Sequence, residues 1–143
     1  MKARVLIVDD EPDVLELVDF KLSGQGYEVI RAANGLEALR KARCESPNVI
    51  VLDVMLPDLD GLCVCEILYA QPSTRDVPVV IFSALDRPVV RTRNSKIGVF
   101  HWLKKGCDFD SLLNCVQSAL GEHQARVKSR LDVEEHSVGK TAA

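Results

Sequence analysis

Three uninterrupted apolar runs constrain this chain more than any other feature: Val5-Leu6-Ile7-Val8, Val49-Ile50-Val51-Leu52 and Val79-Val80-Ile81-Phe82. A strand with one wet face alternates apolar and polar residues. A run without a polar break is buried on both faces, as in a parallel sheet between two layers of helices. Helical patterns fall between the runs. Pro12 opens a helix to about Leu22, with Val14, Leu15, Leu17, Val18 and Leu22 as its apolar stripe, stopped by Gly24 and Gly26. Tyr27 to Ala32 reads as a second strand, and Asn34 caps a helix carrying Leu36, Ala38, Leu39 and Ala42.

Pro57 to Gly61 reads as a loop before a helix through Leu62, Val64, Cys65 and Leu68. A less regular helix is expected from about Pro88 to Ile97, then a short fifth strand from Val99 to Leu103. The last helix starts near Asp108 as N-cap and buries Leu112, Leu113, Val116, Ala119 and Leu120. Five strands alternating with five helices predict an α/β fold with a parallel sheet covered on both faces.

At 143 residues the chain suits one domain, and its 47% hydrophobic and 27% charged content is that of a soluble globular protein. A net charge of -3 gives no general case for nucleic-acid or membrane binding. The first apolar run is too short for a signal-peptide core or a membrane span, so a cytoplasmic location is expected. Cys44, Cys63, Cys65, Cys107 and Cys115 are an odd number without an export signal, which argues against a disulfide framework. Cys63 and Cys65, two apart on a helix, point to nearly opposite sides and cannot grip one ion together.

An open α/β sheet places its binding site outside the carboxyl ends of its strands. Asp9 and Asp10 end the first strand, Asp53 the third and Ser83 the fourth, while Lys105 follows the fifth. Three carboxylates in one crevice repel one another, and a hard divalent cation such as Mg²⁺ relieves them. A carboxylate beside such an ion can attack phosphorus and form an acyl phosphate. Lys105 and the Ser83 hydroxyl would then meet the phosphoryl oxygens. Taken singly, each residue has a plain alternative. Asp9 and Asp10 are equally well polar strand ends, Asp53 a loop acid, Ser83 and Lys105 surface residues and Trp102 a packing residue. Their joint placement favours the phosphoryl site.

Four blocks carry a resemblance: Val8-Asp9-Asp10-Glu11-Pro12, Leu52 to Gly61, Pro78 to Ala84 and Trp102-Leu103-Lys104-Lys105. In order and spacing they resemble the signature blocks of two-component response-regulator receiver domains, over roughly residues 3 to 121. The resemblance implies a doubly wound sheet of order 2-1-3-4-5 flanked by five helices. It also implies a signalling switch phosphorylated on Asp53 by a sensor histidine kinase or a histidine phosphotransfer protein. Asp10 would ligate Mg²⁺ directly, Asp9 would assist largely through water, and Met55 would offer its backbone carbonyl. Ser83 and Trp102 would form the switch, coupling the site to a downstream protein through the face of the fourth helix, fifth strand and fifth helix. Family members dimerise through that face, a homodimer this sequence allows without requiring.

The chain departs from the family twice. Gly106 follows Lys105 where a proline with a cis peptide bond is usual, and a cis bond before a non-proline residue costs about 2.5–4 kcal/mol. The sequence leaves open whether the Lys105–Gly106 peptide is cis, and with it the placement of Lys105. Trp102 is larger than the usual switch aromatic, which makes its inward rotamer sterically demanding.

Two other classes compete with the switch. A phosphate-independent pseudo-receiver usually lacks one of the five site residues, all present here. An aspartate-nucleophile phosphatase carries a second aspartate two residues after the first, where this chain has Met55, which cannot move a proton. The expectation is therefore no turnover on an outside substrate, only self-phosphorylation and slow autodephosphorylation. Arg87, Arg91, Arg93 and Lys96 make the fourth helix basic, read mainly as a solvated face and not as a nucleic-acid contact. Residues 1–121 form the expected domain. Residues 122–143 read as a helix extension and polar tail or linker, with Ser137 to Ala143 disordered in composition. That stretch is too short for a DNA-binding output domain, leaving a stand-alone receiver or a fragment of a larger regulator.

Overall fold

The computed structural model describes residues 2–85 and 99–141, with backbone alone for Phe100 and residues 133–141. Strand β1 is Arg4–Val8, followed by helix α1 (Pro12–Gly24), β2 (Glu28–Ala32), α2 (Gly35–Glu45), β3 (Val49–Leu52), α3 (Gly61–Ala70), β4 (Val79–Ser83), β5 (Val99–Lys104) and α4 (Phe109–Thr141). The strands form one sheet of order β2-β1-β3-β4-β5, every neighbouring pair parallel. This is the doubly wound order expected. Four helices lie among the described residues. The helix expected from Pro88 to Ile97, with Arg87, Arg91, Arg93 and Lys96, falls outside them.

The apolar runs are continuous because the pleat sends alternate residues to two separate cores. Leu6 and Val8 join Ile50, Leu52 and Ile81 on the side covered by α2 and α3, where Ala38, Ala42, Leu62, Val64, Cys65 and Leu68 meet them. Val5 and Ile7 join Val49, Val51 and Val80 on the other side, beneath Leu15, Val18 and Leu22 of α1 and Leu112, Val116 and Ala119 of α4. Each fully buried aliphatic side chain contributes about 1.5–3 kcal/mol. A one-residue register slip would exchange the cores of a strand.

One helical assignment from sequence is corrected. Leu17 is 56% exposed and does not belong to the core. The buried stripe of α1 is the narrower Leu15, Val18, Leu22 set, at i, i+3 and i+7, which leaves Leu17 off-axis. In α2 the buried positions are Gly35, Ala38 and Ala42; Leu36 falls on the outer side. On α3 Cys65 is buried and Cys63 only half-buried, so the two thiols do not face one another.

Helix α4 does not stop at Gly121. Asp108 caps its start, its carboxylate accepting from the Ser111 backbone N–H at 3.0 Å and from the Ser111 hydroxyl at 2.6 Å. Beyond Gly121 the helix stays attached to the body: His123 Nδ1 lies 3.2 Å from the Asp76 carbonyl, and Arg130 pairs with the Asp76 carboxylate. Arg126 and Glu122 add an i, i+4 pair at 3.1 Å. The backbone is helical through Thr141, where composition predicts a disordered tail from Ser137. Glu, Gln, Ala, Arg and Lys dominate 122–130, and these are good helix formers. Among the described residues no helix is long and apolar enough to cross a membrane.

Candidate functional site

The site sits where the sheet order reverses, at the carboxyl ends of β1 and β3, which are neighbours. β1 ends at Val8, so Asp9 follows it directly. The Asp9 backbone N–H donates to the Ala32 carbonyl at 3.1 Å, and that of Asp53 to the Val8 carbonyl at 3.0 Å. These bonds extend both ladders by one residue and bring two buried carboxylates together, Asp9 at 2% exposure and Asp53 at 3%.

The chain after Asp53 is held as tightly. The Met55 N–H donates to Asp53 Oδ1 at 3.1 Å. Asp58 reaches across to α2, accepting from the Gly35 N–H at 2.8 Å and the Leu36 N–H at 2.9 Å. Those bonds hold its carboxyl below the usual value. Asp60 caps α3 by accepting from the Leu62 N–H at 2.8 Å. Gly61 passes so close that a Cβ there would lie 2.4 Å from the Asp53 carbonyl oxygen and 2.6 Å from Val54 Cα. Only glycine permits that approach.

Lys105 completes the site from the far end of the chain. Its Nζ lies 2.8 Å from Asp53 Oδ2, 2.9 Å from Asp9 Oδ2 and 3.3 Å from Glu11 Oε1. Its backbone N–H donates to the Ser83 carbonyl at 2.8 Å, tying the β5 loop to the end of β4. The next residue, Gly106, has φ +102°, and no peptide bond among the described residues is cis. Proline, locked near −65°, cannot adopt that φ. The glycine is thus part of how this chain delivers its lysine.

Electrostatics follow from the crowding. Burial pushes the Asp9 carboxyl above its ordinary value, and the Lys105 hydrogen bond only partly offsets that. Burial alone would lower Lys105, but hydrogen bonds and charges from Asp53 and Asp9 outweigh it and push the ammonium upward. One oxygen from each of Asp9, Asp10, Glu11 and Asp53 lies within 4.8 Å of the others. Four carboxylates against one ammonium leave an excess of negative charge, and an all-oxygen donor set suits a hard cation such as Mg²⁺. The residues present fit that ion.

Ser83 is fully buried at the end of β4, and its Oγ accepts from the Leu85 N–H at 3.3 Å. The Leu85 carbonyl in turn accepts from the Trp102 indole N–H at 2.9 Å. Trp102 is half-buried and packs against the α2/α3 core. The Leu85 backbone therefore stands between the two residues read as a switch, its N–H bound to one and its carbonyl to the other. Asp9, Asp53 and Lys105 meet in direct contact, with Asp10 in the same carboxylate cluster. The Met55 side chain is 55% exposed, with its backbone beside Asp53. Three residues lacked a role in the sequence reading: Glu11, Asp58 and Leu85. Only Glu11 had a signal, its place directly after Asp9 and Asp10.

Residues 5–117 match the family described as response regulator receiver domain. This chain belongs to that family. Receiver domains are signalling domains of two-component systems rather than classical enzymes; they are phosphorylated by sensor histidine kinases and bind Mg²⁺ at an acidic pocket. The response regulator PleD of Caulobacter vibrioides is 40% identical over 118 residues, 82% of this chain and 26% of that protein. The alkaline phosphatase synthesis transcriptional regulatory protein PhoP of Bacillus subtilis is 39% identical over 105 residues, 73% of this chain and 43% of that one. The chain thus spans less than half the length of these curated relatives.

Among solved structures, the chemotaxis protein CheY4 of Vibrio cholerae superposes with a TM-score of 0.78 at 30% identity, covering 83% of this chain and 99% of that one. The response regulator protein TrrA of Thermotoga maritima, in complex with Mg(2+)-BeF, gives a TM-score of 0.74 at 31% identity, covering 83% and 99%. The receiver fold is therefore common to this chain and to solved receiver domains.

Proposed function

We propose that this receiver domain accepts a phosphoryl group on Asp53. The observation that carries the reading is the joint contact of Lys105 Nζ with Asp53 Oδ2 and Asp9 Oδ2, at 2.8 and 2.9 Å. An Asp53 carboxylate oxygen attacks phosphorus of a phosphohistidine on a sensor kinase or phosphotransfer protein. The P–O bond forms as the P–N bond breaks, and the imidazole leaves. Bound Mg²⁺ would supply charge neutralisation of the phosphoryl oxygens. Asp10 and Asp9 would hold the ion with Asp53, and the Met55 carbonyl would join them. Lys105 and the Ser83 hydroxyl would take the remaining phosphoryl oxygens. Water hydrolyses the acyl phosphate slowly.

The output runs through Ser83. As its hydroxyl turns toward the phosphoryl group, its bond to the Leu85 N–H weakens. The Leu85 carbonyl, which holds the Trp102 indole, belongs to the next peptide unit and moves as the Leu85 backbone turns. A local charge change thereby biases a two-state element. The readout is the face formed by β5 and α4 together with the segment that the sequence predicts as a helix from Pro88 to Ile97, met by a downstream protein or a second copy. Residues 1–121 form the switch and 122–143 its helical extension or linker, acting in the cytoplasm.

Incubation with acetyl phosphate, followed by intact-mass analysis and Trp102 fluorescence, tests this reading. One phosphoryl adduct that requires Mg²⁺ and is lost with a chelator is expected, with a matching change in the single tryptophan's emission. A folded protein that takes no adduct in Mg²⁺ would make it a phosphate-independent interaction module instead.

A further inference from the structure

We propose that Glu11 is a positioning residue for Lys105, holding the ammonium at the mouth of the site once a divalent cation engages Asp9 and Asp53; this rests on the phosphoryl-acceptor reading. Glu11 is the N-cap of α1, yet its side chain makes no capping bond to that helix. Its Oε1 lies instead 3.3 Å from Lys105 Nζ, across the crevice. The backbone of the same residue donates to Asp9 Oδ1 at 3.0 Å, so its Cα is fixed relative to the buried acid.

Lys105 has three carboxylate partners, and they differ in kind. Asp9 and Asp53 are buried, with side chains 3% and 4% exposed, and their oxygens are the ones a cation and a phosphoryl group demand. Glu11 is 62% exposed at the rim and makes the longest contact. A cation drawn to the buried pair competes with the ammonium for the same oxygens. Glu11 also brings an oxygen to the carboxylate cluster, but its exposed place at the rim lets it keep the lysine when the buried pair turns to a cation, so the ammonium stays within reach of Asp53. Without Glu11 the ammonium would swing into solvent, and each phosphoryl transfer would begin by recovering it. An exposed pair supports only a small effect, which sets the scale of the experiment.

The rate of phosphoryl uptake from acetyl phosphate is measured at saturating Mg²⁺ for wild type, Glu11→Gln, Lys105→Gln and the double variant. In parallel, acylation of Lys105 by an N-hydroxysuccinimide ester is followed by peptide mass analysis in Mg²⁺ without a phosphoryl donor, for wild type and Glu11→Gln. Glu11→Gln is expected to slow uptake about threefold, within the range of an exposed ion pair, and to quicken acylation of Lys105 several-fold. It should cause no further slowing in the Lys105→Gln background. Slowing that persists without the lysine would assign Glu11 to the metal ion and overturn the proposal. Unchanged uptake or unchanged acylation would overturn it equally. A wild-type protein that forms no adduct would instead remove the acceptor reading, and the acylation comparison would still decide whether Glu11 holds the lysine.

Discussion

Lys105 Nζ and Asp53 Oδ2 meet at 2.8 Å although 52 positions separate them in the chain. The contact joins the end of the central strand β3 to the loop after the edge strand β5, and the intervening β4 carries Ser83. One ammonium therefore reports on three strand ends. Whatever changes the charge on Asp53 changes what holds that loop.

The buried acid beside it carries a cost in the metal-free state. Burial is the main cause that raises Asp9 above 3.8, with Lys105 opposing it. Because the folded value exceeds the unfolded one, the penalty is absent where Asp9 is protonated in both states. It is fully present above the raised folded value. Asp9→Asn removes it, so the variant should gain about 1 kcal/mol at pH 7 without divalent cations, a usual scale for relieving a functional site. Its lead should shrink as the pH falls toward 3.8, the ordinary Asp value. Thermal melts by circular dichroism from pH 4 to 8 read this. Added Mg²⁺ should raise the wild-type Tm more than the variant's. A variant less stable than wild type at pH 7 would contradict the account.

Gly61→Ala should be among the costlier single-methyl changes in the chain. The added Cβ would meet the backbone of Asp53 and Val54, which has no side chain to move aside. Relief requires a shift of the acceptor loop, at about 1–3 kcal/mol. Urea unfolding should show the loss, and phosphoryl uptake should slow beyond it. Unchanged stability would mean that the loop yields freely.

Gly106→Pro installs the residue usual in the family, yet it should harm this protein. The native φ of +102° is closed to proline. Lower thermal stability and slower phosphorylation are expected. Gly106→Ala should lose less, about 1 kcal/mol, since a Cβ is merely strained there. A proline variant as stable as wild type would show that the loop has a second low-energy course.

Much of the fold was legible because β1, β3 and β4 are buried on both faces, which leaves an unbroken apolar run that few other structures produce. Asp9, Asp53 and Ser83 were legible for a related reason, as each follows or ends such a run. Leu17 was misread because an apolar residue near the edge of a helical stripe is indistinguishable in sequence from one inside it. The course of α4 past Gly121 depends on Asp76, a residue far back in the chain that no local pattern connects to His123 or Arg130. The pairing of Glu11 with Lys105 and the bridge of Leu85 between Ser83 and Trp102 are side-chain and peptide geometries, visible only once the loops are folded.

The most direct test of the central claim compares wild type with Asp53→Asn in phosphoryl transfer from acetyl phosphate in Mg²⁺, read by intact mass. Asp53→Asn keeps the size of the side chain and removes its nucleophilic charge. The account predicts one adduct on the wild type and none on the variant. Uptake by Asp53→Asn at the wild-type rate would place the phosphoryl group elsewhere and contradict it.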